Sequence, residues 1–185
     1  MDDVYQHNLG RTVTQADNIW LTLLTQNTAR IHFDAHFAEQ TEFGRPLVNS
    51  IFTLALVTGQ SVNNASYNIR ANLGWGDVQL PNPLFEGDTV YSSSEVTALR
   101  ESQSRPSVGI VTVHTIGVNQ HDAPVNSFDR TVKVYKYGFG PGARPVAAPS
   151  PMNKPDTLRT GGYWRLALSS SRPESGGPHW VGTRL

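Results

Sequence analysis

Two histidines, His32 and His36, stand one helical turn apart in the run HFDAH, the first place in the chain where side-chain spacing could serve chemistry. A zinc protease helix needs Glu directly after its first His, to polarise the metal-bound water, and Phe33 stands there instead. No metal is therefore expected. Cys is absent, which excludes disulfides, thiolate metal sites and a Cys nucleophile, so reactive groups must come from His, Asp, Glu, Ser or Lys. Two glycine-containing stretches carry less. LGWG around Gly74 lacks the spacing and strand-to-helix setting of a dinucleotide loop, and GDTV at Gly87 reads as a turn entering a strand.

The elements that must position these groups follow from periodicity. In TQADNIWLTLLTQN, Thr14 can cap a helix with Asp17 three residues on, and Ala16, Ile19, Trp20, Leu23 and Leu24 share one face, expected to pack inward. Asp34 to Gln40 predicts a second short helix, capped by Asp34, with Phe37 and Ala38 as its apolar side. NSIFTLALVTG then leaves almost no polar face, which predicts a buried helix over Asn49 to Gly59, capped by Asn49 or Ser50. Downstream the period becomes two. DTVYSSSEVTAL, GIVTVHTIGV and PVNSFDRTVKVYK alternate as strands, the last two joined by a turn at Asn119 to Ala123. A further strand is predicted over Ile69 to Gln79, with Pro81 and Pro83 at its exit. One buried helix followed by an antiparallel meander makes an α+β layer architecture.

Fifteen basic and fifteen acidic residues cancel, so no net field favours nucleic acid or an anionic membrane. The N-terminus is polar, and no run approaches the roughly 18 apolar residues needed to span a bilayer. The expectation is a cytoplasmic protein. From Gly138 onward the composition turns to Gly, Pro and Ser without periodicity, as in GFGPGARPVAAPSPMNKP. Such a segment buries too little apolar area to offset about 1 to 2 kcal/mol of ordering entropy per residue. Residues 1–137 are thus expected to form one domain and 138–185 a flexible tail.

Beyond periodicity, LTLLTQNTARIHFDAHFAEQTEFGRPLVNSIFTLALVTG resembles the signature of MaoC-like enoyl-CoA hydratases. The likeness continues through ANLGWGDVQLPNPLFEGDTVY, VTALRESQSRPSVGIVTV and SFDRTVKVYK, covering about residues 5 to 137 in the family's order. Its nearest branch is the mesaconyl-CoA or itaconyl-CoA hydratase type. The resemblance implies a single hot-dog fold, a long buried central helix wrapped by a curved antiparallel sheet, here with extra short N-terminal helices. It also implies a homodimer joined sheet edge to sheet edge, as open strand edges need covering or pairing.

The family's hydration motif pairs an Asp with a His, and the matching positions are Asn27 and His32. The imidazole is kept, but the acid is an amide. By this resemblance His32 is the general base that activates water and, in the reverse direction, the acid that protonates the departing hydroxyl. Asn27 would hold that water, since an amide hydrogen-bonds but exchanges no proton at neutral pH. Ala29 and Arg30 stand where relatives commonly have Asn and Pro, a departure that bears on the loop's geometry. Asn49, Ser50 and Ile51 would supply backbone donors to the enolate oxygen from the first turn of the buried helix. Arg45, Arg100 and Arg105 are candidates for the phosphates of coenzyme A.

The implied reaction is reversible hydration of a 2-enoyl thioester, with a short branched or dicarboxylic acyl group. Coenzyme A or a pantetheine arm belongs to the substrate and no separate cofactor is expected. Two alternatives stay open: a hot-dog thioesterase, which normally uses a carboxylate near the central helix, and a non-catalytic acyl-thioester binder. No Asp or Glu occurs between Arg45 and Asp77, which weighs against the thioesterase.

Overall fold

The computed structural model describes residues 3–141. The expected tail beyond that point lies outside the described residues. Strands β1 (Val4–Gln6) and β2 (Arg11–Thr12) precede helix α1 (Gln15–Leu24), a 3-10 turn (Arg30–His32), helix α2 (Ala35–Ala38) and helix α3 (Ser50–Gln60). A π turn (Val62–Ser66) leads into β3 (Ile69–Gln79), followed by β4 (Thr89–Glu101), β5 (Val108–Val118) and β6 (Pro124–Tyr135). The antiparallel sheet runs β1-β4-β5-β6-β3, with β2 also pairing β4. This is the α+β layout that the periodicity implies.

Period-two alternation does what it should in β6, where Val125, Phe128, Arg130, Val132 and Val134 are buried. Val13, Val48, Val57, Leu84, Val90, Val125 and Phe128 form the core under α3. Each such side chain contributes about 1.5–3 kcal/mol by leaving water. Helix α3 comes so close to β5 that a Cβ on Gly117 would stand 2.6 Å from Val57 Cγ2. Only glycine fits that crossing. A second glycine, Gly87, takes φ +90 in the turn before β4, where its N–H donates to the Val13 carbonyl at 2.8 Å. That turn ties α1's entry to the sheet.

Two expectations about faces are corrected. Helix α1 buries Asn18 and Thr22, whereas Trp20 is 76% and Leu24 79% exposed. The apolar stripe points outward because the inner face is needed for hydrogen bonds to distant backbone. Helix α3 is buried on its Thr53 and Val57 side, while Ser50, Ile51, Ala55 and Gly59 are exposed along one stripe. The sheet covers one side of the helix within this chain. In α2, Asp34 caps the helix through the Phe37 N–H and Ala38 is buried, but Phe37 lies at the surface beneath the Arg30 guanidinium.

Candidate active site

Helix α1 ends in a left-handed residue, Gln26 (φ 58), with Asn27 N–H donating to the Thr22 carbonyl and Gln26 N–H to the Leu23 carbonyl, both at 3.0 Å. This is a Schellman end, with Thr25 as the C-cap, and it delivers Asn27 directly after the left-handed Gln26. Asn27 Oδ1 accepts the Ala29 N–H at 2.9 Å, which fixes the side chain over its own loop. Its NH2 group meets no acceptor among the described residues. The loop closes into the 3-10 turn even without proline, since Arg30 bonds Asp34 Oδ2 through Nε at 2.8 Å and Nη2 at 2.6 Å.

His32 sits at the end of that turn, half-buried. Its Nδ1 lies 2.8 Å from the Leu47 carbonyl oxygen. A carbonyl can only accept, so Nδ1 carries the proton and the neutral ring's lone pair is on Nε2. That is the form a general base needs. Leu47 N–H in turn donates to the Ile31 carbonyl at 3.1 Å, locking the turn against the strand-like segment that precedes α3.

Behind His32 is a group that side-chain spacing did not single out. Asn18, 0% exposed, donates through Nδ2 to the His32 carbonyl at 2.9 Å and to the Leu47 carbonyl at 3.1 Å, and accepts the Asn49 N–H at 2.9 Å. Asn49 Nδ2 donates to Thr22 Oγ1 at 3.0 Å, so α1, the His32 turn and the start of α3 share one buried network. Glu86 lies against Asn18 with Oε1 enclosed and without a geometric hydrogen-bond partner among the described residues; burial pushes its carboxyl up, and the Asn18 side chain's hydrogen bonding to it partly opposes this. A carboxylate thus reaches this region from the β3–β4 loop.

The first turn of α3 narrows the set of open donors. Asn49 N–H is taken by Asn18, and Ile51 N–H is taken by Asn49 Oδ1 at 2.9 Å. Neither backbone group is free for an oxyanion, which corrects that part of the expectation for Asn49 and Ile51. The amide of Ser50 stays open, and so does that of Phe52, one residue beyond the three that the resemblance implies; neither N–H meets an acceptor among the described residues. Both sit at the positive end of the helix dipole.

The arginines separate. Arg45 is exposed, with its guanidinium carbon 3.9 Å from the centre of the Phe85 ring, and Phe85 bridges to Leu47 beside the His32 anchor. Arg100 lies near the far end of β4 and Arg105 in the hairpin beyond it. At about 3.3 Å per residue, Arg100 is roughly 35 Å along the strand from Thr89. Among the described residues no hydrogen bond or ion pair joins either of them to the His32 turn. His36 is exposed on α2, where its ring meets Gln40 and not His32.

A helix crossed by a curved antiparallel sheet, with a histidine-bearing turn set before its first turn, defines a hot-dog domain. The MaoC-like domain model matches residues 1–119, and the chain belongs to that family. It is 32% identical over 130 residues to the β-methylmalyl-CoA dehydratase of Chloroflexus aurantiacus, covering 70% of this chain and 37% of that protein. It is 30% identical over 151 residues to the mesaconyl-CoA hydratase of Cereibacter sphaeroides, covering 82% and 42%. The chain therefore spans about two-fifths of the length of the curated relatives it matches. A Mycobacterium tuberculosis protein with a double hot-dog fold superposes with a TM-score of 0.67 at 22% identity, over 83% of this chain and 50% of that one, a likeness of fold alone.

Proposed function

We propose that this chain is a hydro-lyase that adds water reversibly to a 2-enoyl thioester, with a short branched or dicarboxylic acyl-CoA of the mesaconyl kind as substrate. The single observation that carries the reading is the His32 Nδ1 bond to the Leu47 carbonyl, which leaves Nε2 as a base just before the open amides of α3. The names of the two curated relatives support the acyl class.

In the forward direction His32 Nε2 takes a proton from water while the oxygen bonds to the β-carbon. The electron pair of the double bond moves onto the thioester oxygen, where the Ser50 and Phe52 amides stabilise it. The enolate collapses as the α-carbon takes a proton from the imidazolium, which restores neutral His32 and closes the balance. Asn27 NH2 holds the water but moves no proton. No cofactor enters this scheme; coenzyme A is part of the substrate, and Arg45 is the candidate for its phosphates. We further propose a cytoplasmic homodimer joined at the outer edge of β3.

A second reading, thioester hydrolysis, draws on Glu86, the carboxylate beside Asn18 that the chain order from Arg45 to Asp77 does not reveal. Incubation with mesaconyl-CoA and crotonyl-CoA separates the two. Loss of enoyl absorbance without free thiol supports the lyase. Thiol release supports hydrolysis, and binding without either supports an inert acyl-thioester carrier.

A further inference from the structure

Asn18 is wholly enclosed, and besides the Glu86 carboxyl beside it, it bonds the backbone of three other segments: the His32 carbonyl, the Leu47 carbonyl and the Asn49 N–H. Its orientation is not in question, because two carbonyls can only accept and an N–H can only donate, so Nδ2 and Oδ1 are fixed by their partners. Asp would set an oxygen against two carbonyl oxygens. The Leu47 oxygen that receives the Asn18 NH2 is the same one that receives His32 Nδ1–H.

We propose that Asn18 is the positioning residue for the reaction: by holding the Leu47 carbonyl and the His32 backbone together it keeps the imidazole in the Nδ1–H tautomer, with Nε2 bare toward the water. The same side chain, through the Asn49 N–H, sets the distance between that base and the first turn of α3. Asn18 never touches substrate; it acts through His32. This inference rests on the hydro-lyase reading only for its effect on rate, and its structural half stands by itself.

The test uses the full chain, labelled with 15N at histidine, in which the two ring nitrogens of a neutral imidazole give separate signals. Of the six histidines, His32 is assigned by its disappearance in His32→Ala. Wild type is expected to show protonated Nδ1 and bare Nε2. Asn18→Ala is expected to mix the tautomers and to lower kcat by at least about tenfold with KM little changed, as when a catalytic histidine loses its orienting partner. Thr22→Val, which perturbs the same buried network without touching His32 or Leu47, is expected to keep the wild-type His32 pattern. Should Asn18→Ala fail to fold, Asn18→Ser is measured in the same way, with change expected in the same direction. A protonated Nε2 in wild type, or a folded Asn18 variant with unaltered His32 signals, overturns the proposal. If wild type turns over no thioester, the lyase reading falls while the His32 spectra still decide the role of Asn18.

Discussion

The ring of His32 and the carbonyl of Leu47, 2.8 Å apart, fix which nitrogen of the neutral imidazole carries the hydrogen. The acceptor is main chain, so substitution of side chains cannot easily change its character. The orientation of the ring thus follows where the backbone passes, and Asn18 and the Leu47–Ile31 bond hold that path.

Ser50 is the first residue of α3, and Asn49 before it has φ −61 and ψ 129, a conformation that a following proline accepts. Ser50→Pro removes one open N–H and leaves the helix intact. The expected result is a kcat lower by on the order of 10²- to 10³-fold with little change in melting temperature. Unchanged kcat would show that this amide does not meet the developing charge.

Gln26 is left-handed at the end of α1, where glycine has no steric penalty. Gln26→Gly is expected to stabilise the fold by about 0.5 to 1 kcal/mol after the extra chain entropy of glycine is deducted. Thermal unfolding should rise by a few degrees, and a fall would mean that the Gln26 side chain contributes more than its backbone strain.

His7 is 6% exposed, with Nδ1 3.1 Å from Asn64 Oδ1 and Nε2 2.9 Å from Ser94 Oγ. Burial holds its pKa below the usual imidazole value, against a smaller upward pull from Asn64. The unfolded chain then takes up the proton first as pH falls, so the stabilisation is full above about pH 6.5 and declines as pH drops through that value toward the lower folded one. Unfolding midpoints measured across pH 5 to 8 (roughly one and a half units each side of that reference) should slope downward on the acid side. His7→Gln should flatten the slope, and an equal slope in the variant would assign it to other groups.

Among the described residues strand β3 pairs only β6, and Leu73, Trp75 and Val78 along it and Leu80 just past its end are 41–47% exposed. Ile51, 57% exposed on α3, adds to the apolar surface. An unpaired apolar edge of this length favours pairing with a second copy. Sedimentation should give a dimer, and Val78→Pro, which interrupts strand pairing, should shift it toward monomer. A monomeric wild type would dismiss the edge-to-edge arrangement.

Period-two alternation makes β4, β5 and β6 legible, and the Ile69–Gln79 strand, with prolines at its exit, and the Asn119–Ala123 turn also appear where the residues place them. The Thr14 and Asp17 capping box and the Asp34 cap were legible too, because their partners are a few residues away. Asn18 and Thr22 were not. A helical wheel assigns burial to Trp20 and Leu24, whereas the inner face of α1 is polar to serve the His32 and Leu47 carbonyls and Asn49, all remote in sequence. For the same reason the residues of the α3 turn could be named but not which amides stay open, since Asn18 occupies one and the Asn49 cap another.

The most direct measure of the central claim is kcat/KM for hydration of an enoyl-CoA by wild type and by His32→Ala, with folding verified for both. With Nε2 as the base, the variant should lose about 10²- to 10⁴-fold, the usual contribution of general base catalysis. Equal rates in the two proteins would contradict the account.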